Sequence, residues 1–221
     1  MKILYSFVFA LWLLLSDTNA STVGWGAQVS NSLGLANNSL ANGTSVTVTD
    51  RALIKIGYFT ITDTQIATAF SLGNLSTIQS AFVEFGTSRV GNGFNTNGVW
   101  DAQSVNNDIA FVGQRIHYWT FDTSTIGAAT QWGIFTNTAS AAWVFPSDSP
   151  LPGSTNTDIS NVPTNATGII VGSFGGGPDA NFSNPIYRMS TLVTPVPEPS
   201  TFAACVVLAM AAMGVRRRRC G

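Results

Sequence analysis

Apolar residues in the middle of this chain recur in short runs, and Asn, Gly, Ser and Pro clusters punctuate them. Val46 and Val48 alternate with threonines, the spacing of a half-buried strand. Runs at 53–59, 109–112, 115–121, 131–136, 141–145, 168–174 and 187–193 read the same way, each rich in β-branched or aromatic residues. Gly91 to Gly98 and Pro146 to Pro163 read as loops. One region departs from the pattern. Thr62 with Gln65, and Ser76 with Gln79, have the form of capping boxes, and Ile78, Phe82 and Phe85 then fall at helical spacing until Gly86. The spacing predicts short helices over 63–71 and 75–85. Strands with a local helical insertion predict a mainly β fold, an antiparallel β-sandwich that is jelly-roll-like, with a flattened barrel as the nearest competitor.

Both ends carry a different kind of hydrophobicity. Lys2, the apolar stretch from Ile3 to Leu15 and the small-residue site Thr18-Asn19-Ala20 have the layout of a secretory signal peptide, residues 1–20, cleaved after Ala20. At the other end, Pro195, Pro197 and Pro199 hold the chain extended around Glu198. An uncharged run follows from Phe202 to Val215, and then Arg216, Arg217, Arg218 and Arg219. As a helix the stretch between Pro199 and Arg216 reaches roughly 24 Å, short of the ~30 Å hydrocarbon core. Arginines are retained on the cytoplasmic side of a membrane, so this order predicts a domain held outside it.

Val196, Pro197, Glu198, Pro199 and Ser200, followed by the apolar run and the arginine cluster, resemble the PEP-CTERM sorting signal of Gram-negative bacteria. That resemblance covers residues 195–221, with the motif at 196–201, a short transmembrane helix at 202–215 and a cationic end at 216–219. It implies recognition of the motif by exosortase, an integral-membrane cysteine transpeptidase, and retention of the precursor in the inner membrane by the arginines. Many such substrates accompany exopolysaccharide or biofilm genes. The runs ALIKIGYFTITDTQI, FVGQRIHYWTFDT, QWGIFT and AAWVFPSD also resemble segments of uncharacterised PEP-CTERM proteins of environmental bacteria such as Verrucomicrobia, a likeness that implies no activity.

With the ends set aside, residues 21–194 form one extracytoplasmic domain. Its five basic residues are Arg51, Lys55, Arg89, Arg115 and Arg188, set against nine acidic ones. A net negative charge without a basic patch argues against nucleic acid as a partner. Both cysteines of the chain, Cys205 and Cys220, lie in the tail, so the domain has no disulfide framework.

Candidate chemistry is sparse. On an extended segment, Arg115, His117, Trp119 and Phe121 share one face while Ile116 and Tyr118 share the other. If the first face is wet, Arg115, His117 and Trp119 make a platform for stacking on a glycan, with Trp143 a further exposed ring. If both faces are covered, His117 is a hydrogen-bonded structural residue. No Gly-x-Ser-x-Gly elbow accompanies this single histidine, and the domain's one glutamate, Glu84, offers no glycosidase pair. Asp101 and Asp108, flanking Asn106 and Asn107, have oxygens suited to Ca²⁺, although Asn-rich turns account for them equally well. A zinc or redox site lacks ligands, and the glycines at 172–177 lack the lysine of a phosphate loop. No catalytic residue or cofactor is expected.

These features predict an exported, non-enzymatic protein of the cell surface or extracellular matrix. Its partners would be the Sec machinery, signal peptidase, exosortase and extracellular polysaccharide, with at least transient residence in the inner membrane. The alternatives are a carbohydrate-binding sandwich that uses exposed aromatics and, more distantly, an exported hydrolase.

Overall fold

The computed structural model describes residues 20–27, 35–37, 44–45, 47, 49–106, 108–147, 151–175 and 186–193, with the backbone alone at 35–37 and 44–45. The signal peptide, the sorting motif, the apolar run and the arginine cluster lie outside these residues. Among the described residues no helix is long and apolar enough to cross a membrane.

The chain is mainly β, with several sheets built largely of antiparallel pairs and two short helices. In chain order the strands are β1 (Ser21–Ala27), β2 (Leu35–Asn37), β3 (Thr44–Ser45), β4 (Leu53–Phe59), β5 (Phe82–Arg89), β6 (Trp100–Asn106), β7 (His117–Phe121), β8 (Gln131–Phe135), β9 (Ser154–Asp158), β10 (Ile169–Val171), β11 (Ser173–Gly175), β12 (Ile186–Arg188) and β13 (Ser190–Thr191). Helices α1 (Asp63–Ser71) and α2 (Leu75–Ala81) fall between β4 and β5. The central sheet runs β10-β8-β7-β4-β5, with β13 also on β8; a second sheet runs β6-β1-β9 and a third β11-β12-β2-β3. Two pairings are parallel, β1 with β9 and β2 with β12.

The central sheet is buried on both faces. Towards the second sheet, Ile54, Ile56, Tyr118 and Phe135 pack with Val23, Trp25, Trp100 and Trp143. Towards the helices, Leu53, Phe59, Trp119, Phe121, Trp132 and Ile134 pack with Ile66, Phe70 and Ile78. Consequently all five residues of β7 and all five of β8 are buried, and neither strand shows polar-apolar alternation. Tyr118 and Trp119, adjacent in sequence, centre two separate aromatic clusters. The Tyr118 ring lies 4.8 Å from Trp143 and 5.8 Å from Trp25, while Trp119 lies 5.0 Å from both Phe82 and Trp132. Each such pair adds about 0.5–1.5 kcal/mol beyond the area it buries.

Several expectations need correction. α1 forms where the pattern placed it, held by the Thr62 and Gln65 capping box. α2 stops at Ala81, its N-cap is Asn74 with no side-chain bond, and Phe82 begins β5. The helical spacing of Ile78, Phe82 and Phe85 arises because β5 buries apolar residues on both sides: Phe82 joins the helix-side core and Phe85 the other. A bulge at this point, with Ile56 opposite Gly86 and Gly57 opposite Glu84, leaves Phe85 as the extra residue. Gly57 is required there, since a Cβ would sit 2.1 Å from the Val83 carbonyl oxygen.

Ile109–Phe111 and Ala141–Trp143 are 3₁₀ turns rather than strands, capped by the side chains of Asp108 and Ser140. The loop expected from Pro146 to Pro163 contains β9. The run at 168–174 divides at Gly172 (φ +126°), where the chain leaves β8 to pair with β12, and the run at 187–193 divides at the buried Met189.

Candidate functional site

Arg115, just before β7, is half-buried, and the face of the strand carrying His117 and Trp119 is covered. α1 packs over it, led there by the short turn after Phe59, and Asp63 in the first helical turn reaches the imidazole. His117 Nε2 lies 3.0 Å from Asp63 Oδ1, and Nδ1 lies 3.0 Å from the carbonyl oxygen of its neighbour Arg115. Whichever ring nitrogen carries hydrogen therefore finds an acceptor. The Phe59 ring meets the imidazole edge-on at 5.3 Å. Arg115 is equally committed, its Nη1 donating to the carbonyls of Asn137 at 2.7 Å and Ser140 at 3.2 Å. These bonds fasten the loop after β8 and the start of α1 to the central sheet.

The glycan platform is therefore corrected. Trp119 and Trp143 are each 1% exposed, so neither offers a ring face to a sugar. The indole nitrogens of Trp119 and Trp132 are buried without a hydrogen-bond partner, at a cost of about 1–3 kcal/mol each, and these rings act through volume and contact. His117 takes the other role expected of it, a hydrogen-bonded residue between covered faces.

Two tyrosines tie the layers. Tyr118 Oη lies 2.7 Å from Thr157 Oγ1 and accepts from the Gly26 amide at 3.3 Å, linking the central sheet to β9 and β1. Burial, foremost, pushes its phenol well above the ordinary tyrosine range. Tyr187 donates to the Val162 carbonyl, and burial followed by the Asp158 charge pushes its phenol up to about 12.

The carboxylates do not converge. Glu84 lies on β5 rather than a helix and forms an ion pair with Lys55 on β4, while also accepting from Thr87. Asp101 is on β6, and Asp108 spends one oxygen capping Ala110 at 2.9 Å. Among the described residues no group of three His, Cys, Asp or Glu is placed to hold a metal ion.

The feature the sequence reading missed is an open cleft of about 430 Å³ at the outer end of β5, running into the turn that follows. Among the described residues Arg51, Thr87, Ser88, Arg89, Asn92 and Asn95 line it, and no carboxylate does. Antiparallel pairing creates it: Leu53 lies opposite Arg89 and Ile54 opposite Ser88, which brings the turn before β4 beside the turn after β5. Arg89 Nη1 donates to the carbonyls of Arg51 and Ser124, each at 3.0 Å, and so fixes the floor.

Of the other expected sites, Ala20 is described, half-buried, just before β1. Val196, Pro197, Glu198, Pro199, Ser200 and Arg216 to Arg219 lie outside the described residues. No family model, curated protein or solved structure matches the chain.

Proposed function

We propose that this chain is an exported, non-enzymatic protein of the cell surface or extracellular matrix, sorted through a C-terminal PEP-CTERM signal and associated with exopolysaccharide or biofilm. The observation that carries this reading is the order of Val196 to Ser200, the uncharged run to Val215 and the cluster Arg216 to Arg219. A cleavable leader ending at Ala20 is consistent with it, since both ends then direct residues 21–194 across the same membrane.

In this reading Sec delivers the chain, signal peptidase removes residues 1–20, and the arginines hold the precursor in the inner membrane. Exosortase then acts at the proline-locked motif. The three prolines around Glu198 disfavour helix, which suits a motif that a processing enzyme grips in extended form. The body is a sandwich of jelly-roll-like character, with a surface of hydroxyl and amide groups suited to a hydrated polysaccharide layer.

Replacing Pro197, Glu198 and Pro199 together with alanine tests it. Export continues, and the unprocessed precursor accumulates in the inner-membrane fraction, because the motif is lost while the arginine end remains. Normal release or surface display of the triple variant contradicts the reading.

A further inference from the structure

We propose that the cleft between the turn at Arg51 and the turn after Arg89 binds an anionic saccharide, one whose carboxylate or sulfate is held by the two arginines. This deepens the polysaccharide association proposed above and rests on it for the sugar, though the anion site stands on geometry alone.

The charge pattern comes first. The domain carries more acidic than basic residues, yet two of its four arginines line one cleft in which no carboxylate is among the described lining residues. The Arg51 guanidinium makes no hydrogen bond or ion pair with any described residue; of the acids nearest the cleft, Asp50 accepts from Thr47 at 2.6 Å, Glu84 is paired with Lys55 and accepts from Thr87, and Asp101 lies on β6 beside Gly93. Arg89 spends Nη1 on two carbonyls, which orients the planar group and leaves Nε and Nη2 for an outside acceptor among the described residues.

The second observation is independent of charge. Ser88 also lines the cleft, it is 7% exposed, and its hydroxyl has no hydrogen-bond partner. A buried hydroxyl without a partner costs about 1–3 kcal/mol, and unlike the unpartnered indole nitrogens of Trp119 and Trp132 in the core, this one borders an open cleft. An oxygen-rich ligand supplies the missing partner.

The remaining lining selects the class. Among the described lining residues, Thr87, whose hydroxyl donates to Glu84, Asn92, whose amide nitrogen donates to the Asp101 carbonyl, and Asn95 add polar groups, Val90 is the one apolar side chain, and none is an aromatic ring. That suits a hydroxylated, charged ring better than an apolar ligand or a peptide with apolar anchors. A volume of about 430 Å³ lies within the range of small-ligand sites. Because the cleft is open, an interior residue of a polymer can lie across it with its chain continuing on either side.

The test is calorimetric titration of the purified full chain in detergent with tetra-galacturonate, with the uncharged tetra-galactose, and with sodium sulfate. Tetra-galacturonate binds, more weakly as salt rises, and tetra-galactose does not. Arg51→Gln weakens binding about tenfold, the scale of one charge-assisted hydrogen bond. Ser88→Ala weakens it severalfold while leaving the unfolding temperature unchanged or higher, which a purely structural serine would not do. Absence of heat with tetra-galacturonate, equal binding of tetra-galactose, or affinity indifferent to Arg51→Gln overturns the proposal. Sulfate binding as tightly as tetra-galacturonate overturns the saccharide. None of these failures touches delivery to the surface, which the processing variant reads separately.

Discussion

Two polar regions of this protein hold arginines and hydroxyls, and they differ in how those groups are used. Beneath α1, both ring nitrogens of His117 meet acceptors and the Phe59 ring stands edge-on to the imidazole, while the half-buried Arg115, just before β7, donates to two backbone carbonyls. At the end of β5, the Arg51 guanidinium and the Ser88 hydroxyl meet none among the described residues. A satisfied cluster in a covered site stabilises the layers it joins. An unsatisfied one at an open edge has capacity left for a ligand. Residue type alone would have ranked them the other way, because the histidine and tryptophan look more like chemistry than a serine between two turns.

The difference is sharpest in stability. Trp119→Ala removes a side chain at the centre of four ring contacts and is expected to cost about 3–5 kcal/mol, measured by denaturant unfolding. His117→Ala, which frees the α1 terminus and leaves the Arg115 carbonyl unpaired, costs less, about 1–3 kcal/mol in the same assay. If either variant keeps full stability and loses only ligand binding, the interior assignment is wrong.

The tyrosines give a pH axis to the same contrast. Tyr187 has its phenol raised from 10.0 to about 12 in the folded chain, so the unfolded state ionises first. Its contribution is fully present below pH 10 and is lost as pH rises towards 12. Tyr187→Phe removes that loss, flattening the stability profile across this window at the cost of the bond to Val162. A profile equally steep with phenylalanine would mean that other groups carry the alkaline transition. The smallest stability effects belong to the cleft: Arg51→Gln stays within about 0.5 kcal/mol of the parent, as expected of an exposed side chain without a partner among the described residues.

What could be read from the sequence follows the range of the forces involved. α1 was legible because its capping box is local, Thr62 and Gln65 bonding across three residues. β4 and β8 were legible as short runs rich in β-branched and aromatic residues. β9, the polar STNTD, was not, because its place beside β1 rests on a backbone ladder, with Thr157 alone of its side chains buried. β1 hid behind Gly24 and Gly26, which weaken a strand signal. β5 misled because burial on two faces imitates helical spacing.

The candidate sites divide on the same ground. His117 was conspicuous, but its partner Asp63 lies 54 residues away and only the packing of α1 unites them. The cleft required the β4 and β5 register. Once Leu53 is set opposite Arg89, the approach of Arg51 to the second turn follows, so the pairing of these two runs was the signal to pursue. The sorting features, by contrast, are linear and need no fold to be read.

The mass of the C-terminal peptide recovered from protein on the outside of intact cells tests the central claim most directly. The account predicts a peptide ending at or near Val196 to Ser200, without Arg216 to Arg219. Surface protein that still carries all four arginines would show that the tail is an ordinary anchor and that no processing takes place.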